Sequence, residues 1–145
     1  MKIGVSRLML VSLAGVVVCG AMQASQTYKG LEIEAVGVER ATRVSLQDCP
    51  PGENIVRGVI RPSEDNEFAT ILLDVKVLPS FDGGEIAKPL LYDDAGNEYK
   101  TAQSFRDVSS QDAYTCSFSF RLPKGTKVAR LAIDDVSFDI SELEK

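Results

Sequence analysis

Residues 114–122 read YTCSFSFRL, and their side chains alternate strictly in polarity. The even positions from Tyr114 to Leu122 are apolar or aromatic apart from a cysteine, whereas the odd positions carry Thr, Ser and Arg. Successive side chains of a β-strand point to opposite faces, so this period of two predicts a strand with one face in a core and one in water. Cys116 has the phase of the inward face.

The same alternation returns between Ala69 and Val77, where apolar residues occupy every odd position. Weaker patterns predict strands at 31–36, 89–92, 99–101, 128–133 and 136–140, and one or two more at 43–46 and 55–60. The segments 93–98 and 122–127 are rich in Asp, Asn, Gly and Pro, which favours tight turns. A short helical turn is predicted at 102–110. About seven or eight short strands separated by turns indicate an antiparallel β-sandwich or a small barrel.

The N-terminal segment 1–24 has the order of a secretory signal peptide. Lys2 and Arg7 precede an apolar run from Leu8 to Val18, and small residues follow that run. A spanning helix needs roughly 20 apolar residues, and this run is shorter. We therefore expect the segment to be removed, residues 25–145 to form one domain without a membrane span, and the mature protein to be periplasmic or secreted.

Cys19 leaves a second possibility open for the N-terminus. Bacterial lipoproteins are cut directly before a cysteine that then carries lipid, usually after a small residue. Three valines at positions 16–18 precede Cys19, and they match that pattern poorly. A lipid tether on Cys19 is therefore the less favoured alternative to a periplasmic or secreted protein.

The chain is acidic, with 16 Lys and Arg residues against 21 Asp and Glu residues and a formal net charge of -5. Removal of the leader takes away two cations and no carboxylate, which leaves 14 against 21 and a net charge of -7. Contacts to phosphate depend on Lys and Arg, so nucleic acid is excluded as an expected partner. The mature chain is still long enough to bury the core of one domain.

Two cysteines, Cys49 and Cys116, remain once the leader is gone. An exported protein folds in an oxidising compartment, where two cysteines most simply form one disulfide. A redox centre would favour closely spaced cysteines such as C-x-x-C, and the chain has no such pair. We expect a structural bridge between strands that is drawn from the inward face of the strand at 114–122.

The stretch 66–133 follows the order of a known family. Its hairpin has the pattern L-x-D-x-x-G-x-x-Y at Leu91, Asp93, Gly96 and Tyr99, and its late strand has F-x-F-x-[VL]-P at Phe118, Phe120, Leu122 and Pro123. In these residues the chain resembles an immunoglobulin-like β-sandwich family of unknown function that is common in bacterial lipoproteins and secreted proteins. The resemblance implies an all-β, antiparallel immunoglobulin-like sandwich and brings no catalytic motif.

The composition excludes several common chemistries. Histidine is absent, so Ser-His-Asp and Cys-His nucleophiles are excluded in their usual form. Zinc sites lose their commonest nitrogen ligand, and no glycine-rich phosphate-binding loop occurs. We expect no cofactor and no catalytic activity.

Carboxylate side chains are concentrated in two turns, and a calcium site is the one kind of metal site that they suggest. Calcium prefers several oxygen ligands within a short loop, which makes the hairpin side chains weak calcium candidates. They are Asp93, Asp94, Asn97 and Glu98, and a second acidic group lies at 64–67. The spacing is not that of a calcium loop, and Asp and Asn often hydrogen-bond their own backbone in turns. An ordinary turn is the preferred interpretation.

These observations favour a non-catalytic exported binding or accessory module of the cell envelope. Such a module would engage another protein through loops or a sheet edge, and the loops at 50–54, 62–67 and 81–85 are the candidates. A secreted inhibitor or immunity protein fits the same size and export signal. A carboxylate-based glycan-active enzyme is the weaker alternative, since it needs two close carboxyl groups and usually an aromatic cleft, while the chain has no Trp.

Overall fold

The computed structural model describes residues 25–52 and 59–144, so the predicted signal peptide, Cys19 and most of the predicted strand at 55–60 lie outside the description. The described residues form ten β-strands and no helix. The strands are β1 (Gln26–Tyr28), β2 (Leu31–Ala41), β3 (Val44–Ser45), β4 (Val59–Ile60), β5 (Asn66–Val77), β6 (Leu90–Asp93), β7 (Glu98–Lys100), β8 (Ala113–Pro123), β9 (Val128–Ile133) and β10 (Val136–Asp139).

Eight of these strands form two four-stranded antiparallel sheets. Sheet A has the order β1-β2-β5-β8, and sheet B has the order β10-β9-β6-β7. Strands β3 and β4 pair with each other as a separate two-stranded ribbon. The predicted all-β antiparallel sandwich is confirmed. The ribbon strands lie within the weakly predicted strands at 43–46 and 55–60, and β1 is the strand that was not predicted.

The two sheets pack against each other through apolar side chains that are almost fully shielded from solvent. Sheet A contributes Leu31, Ile33, Ile71, Leu73, Phe118 and Phe120, and sheet B contributes Leu91, Leu131, Ile133 and Phe138. Burial of one such side chain stabilises the fold by roughly 1.5–3 kcal/mol. The inward phase that the sequence assigns to strand β8 is therefore the phase that builds the core.

Strand β2 continues to Ala41, well beyond the predicted strand at 31–36. The second part was missed because the alternation of buried and exposed side chains changes phase within the strand. The register against β5 shifts between Ala35 and Gly37, so Val36 is the extra residue of a β-bulge. The buried face resumes at Val38, three residues after Ala35, and Val36 is left 41% exposed. A strict period of two ends at the bulge, which explains why the sequence pattern stops there.

The helical turn predicted at 102–110 is wrong. This segment consists of bends and turns, and its one β-contact is a parallel bridge between Phe105 and Cys49. The ring of Phe105 lies 4.9 Å from the ring of Phe118, measured between centroids. Contact with the core and hydrogen bonds to the loop at Cys49 hold the segment in place instead of helical hydrogen bonds.

The turn between β1 and β2 supports the long loop that follows β5. Lys29 and Gly30 both have positive φ angles, of 48° and 83°, as in the tight hairpin turns that match strand twist. The carbonyl oxygen of Gly30 accepts a hydrogen bond from the N–H of Leu78 at 2.9 Å. A Cβ atom at Gly30 would lie 2.4 Å from the Cα atom of Phe81, so only glycine allows this approach.

We expect Gly30→Ala to lower the free energy of unfolding by roughly 2–4 kcal/mol, because a left-handed backbone strains alanine and the Phe81 backbone must move. Urea unfolding measures the change. Gly96→Ala is the matched control, since Gly96 has the same φ of 83° and open space around the added methyl group. Equal losses in the two variants would show that the contact with Phe81 contributes nothing.

Candidate functional site: the loop surface beside the disulfide

Two of the three predicted contact loops lie at the same end of the sandwich. Residues 50–52, the described part of the first loop, and the loop at 81–85 flank opposite sides of the segment 105–111. The third loop lies at the other end, where the N–H of Lys124 donates to the carbonyl oxygen of Asp65 at 3.0 Å. Its last two residues belong to β5. The loop surface is defined here as residues 48–52, 81–86 and 105–111.

The Cys49–Cys116 disulfide joins the loop surface to strand β8, so the predicted pairing is confirmed, although Cys49 lies in a loop and not in a second strand. The two sulfur atoms are 2.02 Å apart and the two Cα atoms are 5.4 Å apart. Both cysteines are buried in the main core. Cys49 lies at the one-residue bridge with Phe105, so the disulfide anchors a loop to a sheet strand.

Main-chain and carboxylate contacts hold the loop at Cys49 against the segment that precedes β8. The N–H of Cys49 donates to the carbonyl oxygen of Ser104 at 3.0 Å, and the carbonyl oxygen of Cys49 accepts from the N–H of Arg106 at 2.9 Å. The buried carboxylate of Asp48 accepts from the N–H of Ser104 at 2.9 Å and lies 3.7 Å from Nε of Arg106. These contacts hold the loop at Cys49 against the segment 104–106.

Tyr114 holds the opposite side of the same segment. Its hydroxyl donates to the carbonyl oxygen of Val108 at 2.9 Å. Burial raises the pKa of Tyr114 to about 12, so the hydroxyl keeps its proton and remains a donor throughout the neutral range. The segment 105–109 is thus held both by strand β8 and by the loop at Cys49.

Gln103 is an organising residue that the sequence analysis missed. It is 1% exposed, and its side-chain amide bonds the free edge of β8. The oxygen Oε1 accepts from the N–H of Ser119 at 2.6 Å, and Nε2 donates to the carbonyl oxygen of Ser117 at 2.8 Å. The nitrogen Nε2 also donates to the carbonyl oxygen of Gln47. One amide therefore takes the place of a neighbouring strand.

The described edges of sheet A are poorly suited to accept an added strand. Open edges present unpaired N–H and C=O groups that invite pairing with another chain. On β8, the side-chain amide of Gln103 already bonds the N–H of Ser119 and the carbonyl oxygen of Ser117, on either side of Phe118. On the opposite side, β1 covers only residues 31–33 of β2. The rest of the β2 edge is interrupted by the bulge at Val36 and by a bridge between Val38 and Glu144. The geometry favours the loops over these edges as a contact surface.

The loop surface contains a cleft of about 260 Å³ between the segments 81–86 and 105–109. Its apolar floor is built from Phe81, Ile86, Phe105 and Val108, which all pack against the main core. Its rim carries the exposed residues Glu85, Arg106 and Asp107, and the exposed Asp82 lies next to the lining residue Phe81. The arrangement can bury a small apolar group and attract positive charge beside it.

The four calcium candidates lie in the hairpin between β6 and β7, where Asp93 organises the turn. Its Oδ1 accepts from the N–H groups of Ala95 and Asn97 at 3.0 and 2.8 Å. Its Oδ2 accepts from the amide of Asn97 and the hydroxyl of Tyr99, both at 2.9 Å. Glu98 instead accepts from the hydroxyl of Tyr92. Within residues 25–52 and 59–144, no group of three or more Asp, Glu or Cys side chains could hold a metal ion.

The pKa of Asp93 lies below its ordinary value of 3.8, mainly because the side-chain amide of Asn97 donates a hydrogen bond to its carboxylate. Backbone N–H groups and the hydroxyl of Tyr99 lower the pKa further, whereas desolvation raises it. A carboxyl whose pKa is lower in the folded state stabilises that state above the unfolded pKa. The stabilisation is lost as the pH falls through the folded value. Asp139 follows the same rule, because hydrogen bonds from Ser141 lower its pKa.

We therefore expect the protein to lose stability on acidification below about pH 4, the pKa of an unperturbed Asp. Asp93→Asn should lower stability at neutral pH and flatten this dependence. Asn97→Ala should make the loss smaller and complete it at a higher pH, since it removes the amide donor and raises the folded-state pKa of Asp93 toward the unfolded value. Urea midpoints measured across the acidic range test both variants. An unchanged pH profile in Asn97→Ala would contradict the assigned cause.

Comparisons with known proteins add little beyond the geometry. No model of a protein family matches the sequence, and no curated protein matches it. Among solved structures, the chain is similar to a protein from Clostridium difficile 630 described as an uncharacterized β-sandwich protein. The two share 13% sequence identity over 78% of this chain and 85% of the other, with a TM-score of 0.45. Among the described residues, no helix has the length and apolar character to cross a membrane.

Proposed function

We propose that this protein is a non-catalytic exported module of the bacterial cell envelope that binds another protein through the loop surface. The observation that carries the proposal is the cleft between the segments 81–86 and 105–109. It combines apolar side chains at its base with the exposed carboxylates of Glu85 and Asp107 at its rim, and it lies beside the restrained segment 105–109. Binding sites are commonly built in this way, from loops positioned by a rigid scaffold.

The fixed geometry of these loops supports binding because little order has to be gained when a partner arrives. Association of proteins is opposed by the entropy of ordering loops and side chains. Here the disulfide, the carbonyl of Val108 and the buried carboxylate of Asp48 already restrain the segment 105–109 and its neighbours. Binding of a partner would therefore lose little free energy to the ordering of these loops.

An extracytoplasmic location and membership of the immunoglobulin-like family are part of the proposal. The Cys49–Cys116 disulfide supports export, because such bridges persist mainly outside the reducing cytoplasm. The leader at 1–24 would direct the chain to the periplasm or out of the cell, with lipid on Cys19 as the alternative. Mass spectrometry of the protein isolated from the cell envelope distinguishes a chain beginning near Ser25 from a lipidated chain beginning at Cys19.

The two alternative functions receive different support. An inhibitor or immunity protein would use the same loop surface, so it is a special case of the proposed binding. A glycan-active enzyme needs one carboxyl with a raised pKa to act as general acid. Asp93 and Asp139 share a shallow surface depression, but their pKa values lie below the ordinary value. Nothing in this pair favours catalysis.

Site-specific photo-crosslinking in the producing cell tests the proposal. A benzoyl-phenylalanine residue placed at Ser110 or Gln111, both exposed on the loop surface and outside the lining of the cleft, should form an adduct with one defined protein. The same residue at Glu142, which is exposed in the C-terminal segment at the other end, is the matched control. Absence of adducts at the loop surface, or equal adducts at all three positions, would refute binding through this surface.

A further inference from the structure

We infer that the cleft binds a single large apolar side chain, aromatic or branched aliphatic, from a polypeptide segment that carries Lys or Arg on both sides of it. This inference rests on the proposed function and specifies the chemistry of its partner. It follows from the size of the cleft, from the composition of its floor and from the charge around it.

The size of the cleft favours one side chain over a small-molecule ligand. Its volume is about 260 Å³, whereas sites for drug-sized ligands usually measure about 300–1,000 Å³. Ile86 and Val108 are buried in its floor, and the rings of Phe81 and Phe105 are partly buried beside them. Aromatic side chains bury about 150–250 Å² each and act as anchors at protein interfaces. A single aromatic anchor therefore suits this floor.

The charges around the cleft favour a cationic segment. Glu85 lines one side of it and Asp107 lines the other side, and Asp82 is exposed next to the lining residue Phe81. Arg106 also lines the cleft, but its Nε lies 3.7 Å from the buried carboxylate of Asp48, which offsets part of its charge. Lys29 approaches the carbonyl oxygen of Glu85 at 3.0 Å and offsets only part of the acidic rim. Complementary charge at a rim governs the association rate and the choice of partner.

The backbone at Asp107 holds one of these charges at the rim. Asp107 has a φ of 52°, a left-handed conformation that strains most residues but is tolerated by Asp and Asn. The carbonyl oxygen of Asp107 accepts a hydrogen bond from the N–H of Ser110 at 3.0 Å, which closes the turn. Asp107→Asn can therefore remove the charge while the backbone is kept.

Fluorescence titration with short peptides tests the inference directly, because the protein contains no Trp. The probes are acetyl-KKWKK-amide and acetyl-EEWEE-amide, with acetyl-KKAKK-amide as a competitor that lacks the anchor. We expect the cationic Trp peptide to bind the oxidised protein at least about tenfold more tightly than the acidic one at low ionic strength. The alanine peptide should not displace it. Equal affinity of the two Trp peptides, or displacement by the alanine peptide, would overturn the inference.

Two sets of variants locate the binding. Glu85→Gln with Asp107→Asn should weaken the cationic peptide about threefold to tenfold, whereas Glu64→Gln with Asp65→Asn makes the same charge change at the other end and should leave its affinity within about twofold of wild type. Ser109→Phe, an exposed position that lines the cleft, should abolish binding in a folded protein. Retained binding in Ser109→Phe, or equal weakening by both double variants, would overturn the inference.

The peptide and crosslinking experiments separate the two proposals. Crosslinks to one protein at the loop surface without binding of the cationic Trp peptide would leave the proposed function standing and refute the anchor. Binding of the peptide without any crosslinked protein in the producing cell would support the anchor chemistry and refute the proposed function.

Discussion

Replacement of both bridge cysteines, Cys49→Ala with Cys116→Ala, is expected to lower the free energy of unfolding by about 4 kcal/mol. The bridge closes a sequence separation of 67 residues, and the chain-entropy model assigns a loss of this size to freeing such a loop in the unfolded state. Single domains are stable by only about 5–15 kcal/mol in total. Urea unfolding of the oxidised protein and of the double variant measures the difference.

The local effect of the missing bridge should exceed its effect on the core. Cys49 belongs to the loop surface, whereas the sheets are held by their own apolar contacts. The double variant should therefore lose peptide binding under conditions in which it is still folded. Wild-type protein reduced with dithiothreitol is the control, and it should match the double variant. A loss below about 1 kcal/mol in both would show that the bridge contributes little.

Gln103→Leu is expected to lower the free energy of unfolding by roughly 3–5 kcal/mol, because a buried group that loses its partner costs about 1–3 kcal/mol. The change leaves the N–H of Ser119 and the carbonyl oxygens of Ser117 and Gln47 without the amide that bonds them. Leucine has a similar volume, so lost packing contributes little. Denaturant unfolding gives the free energy, and hydrogen exchange at the Ser119 amide reports the local opening.

Gln103→Glu is the matched control for the same position. The carboxylate keeps an acceptor for the N–H of Ser119, but it places an unprotonated oxygen opposite the carbonyl oxygens of Ser117 and Gln47. Repulsion and burial would raise the pKa of the new Glu, so the variant should regain stability as the pH falls and the acid becomes a donor. A loss independent of pH, or a Gln103→Leu variant as stable as wild type, would contradict the assigned role.

The strands that are half buried could be predicted because each records its environment in its own residues. Strand β8 alternates from Tyr114 to Leu122, since one face meets sheet B and the other meets solvent. Strand β2 was predicted only in its first part, because the bulge at Val36 changes the phase of its buried face. Strand β1 was not predicted, since three residues are too few to show a period.

The candidate site was predicted only in part. The loops at 50–54 and 81–85 were identified by composition, and the disulfide by the count of cysteines in an exported chain. The role of Gln103 carried no local signal, because its partners lie 16 residues away at Ser119 and 56 residues away at Gln47. A polar residue in a loop has the same appearance in sequence whether it faces water or bonds a strand edge.

The sequence alone determined the fold class, the inward phase of the main strands and the pairing of the two cysteines. These properties depend on the period of polarity along single strands and on the number of thiols, and both can be read locally. Tertiary structure alone decided which loops share one end, how the edge of β8 is closed and where the cleft lies. Those features arise from contacts between segments far apart in the chain, and such contacts exist only once the sheets have packed.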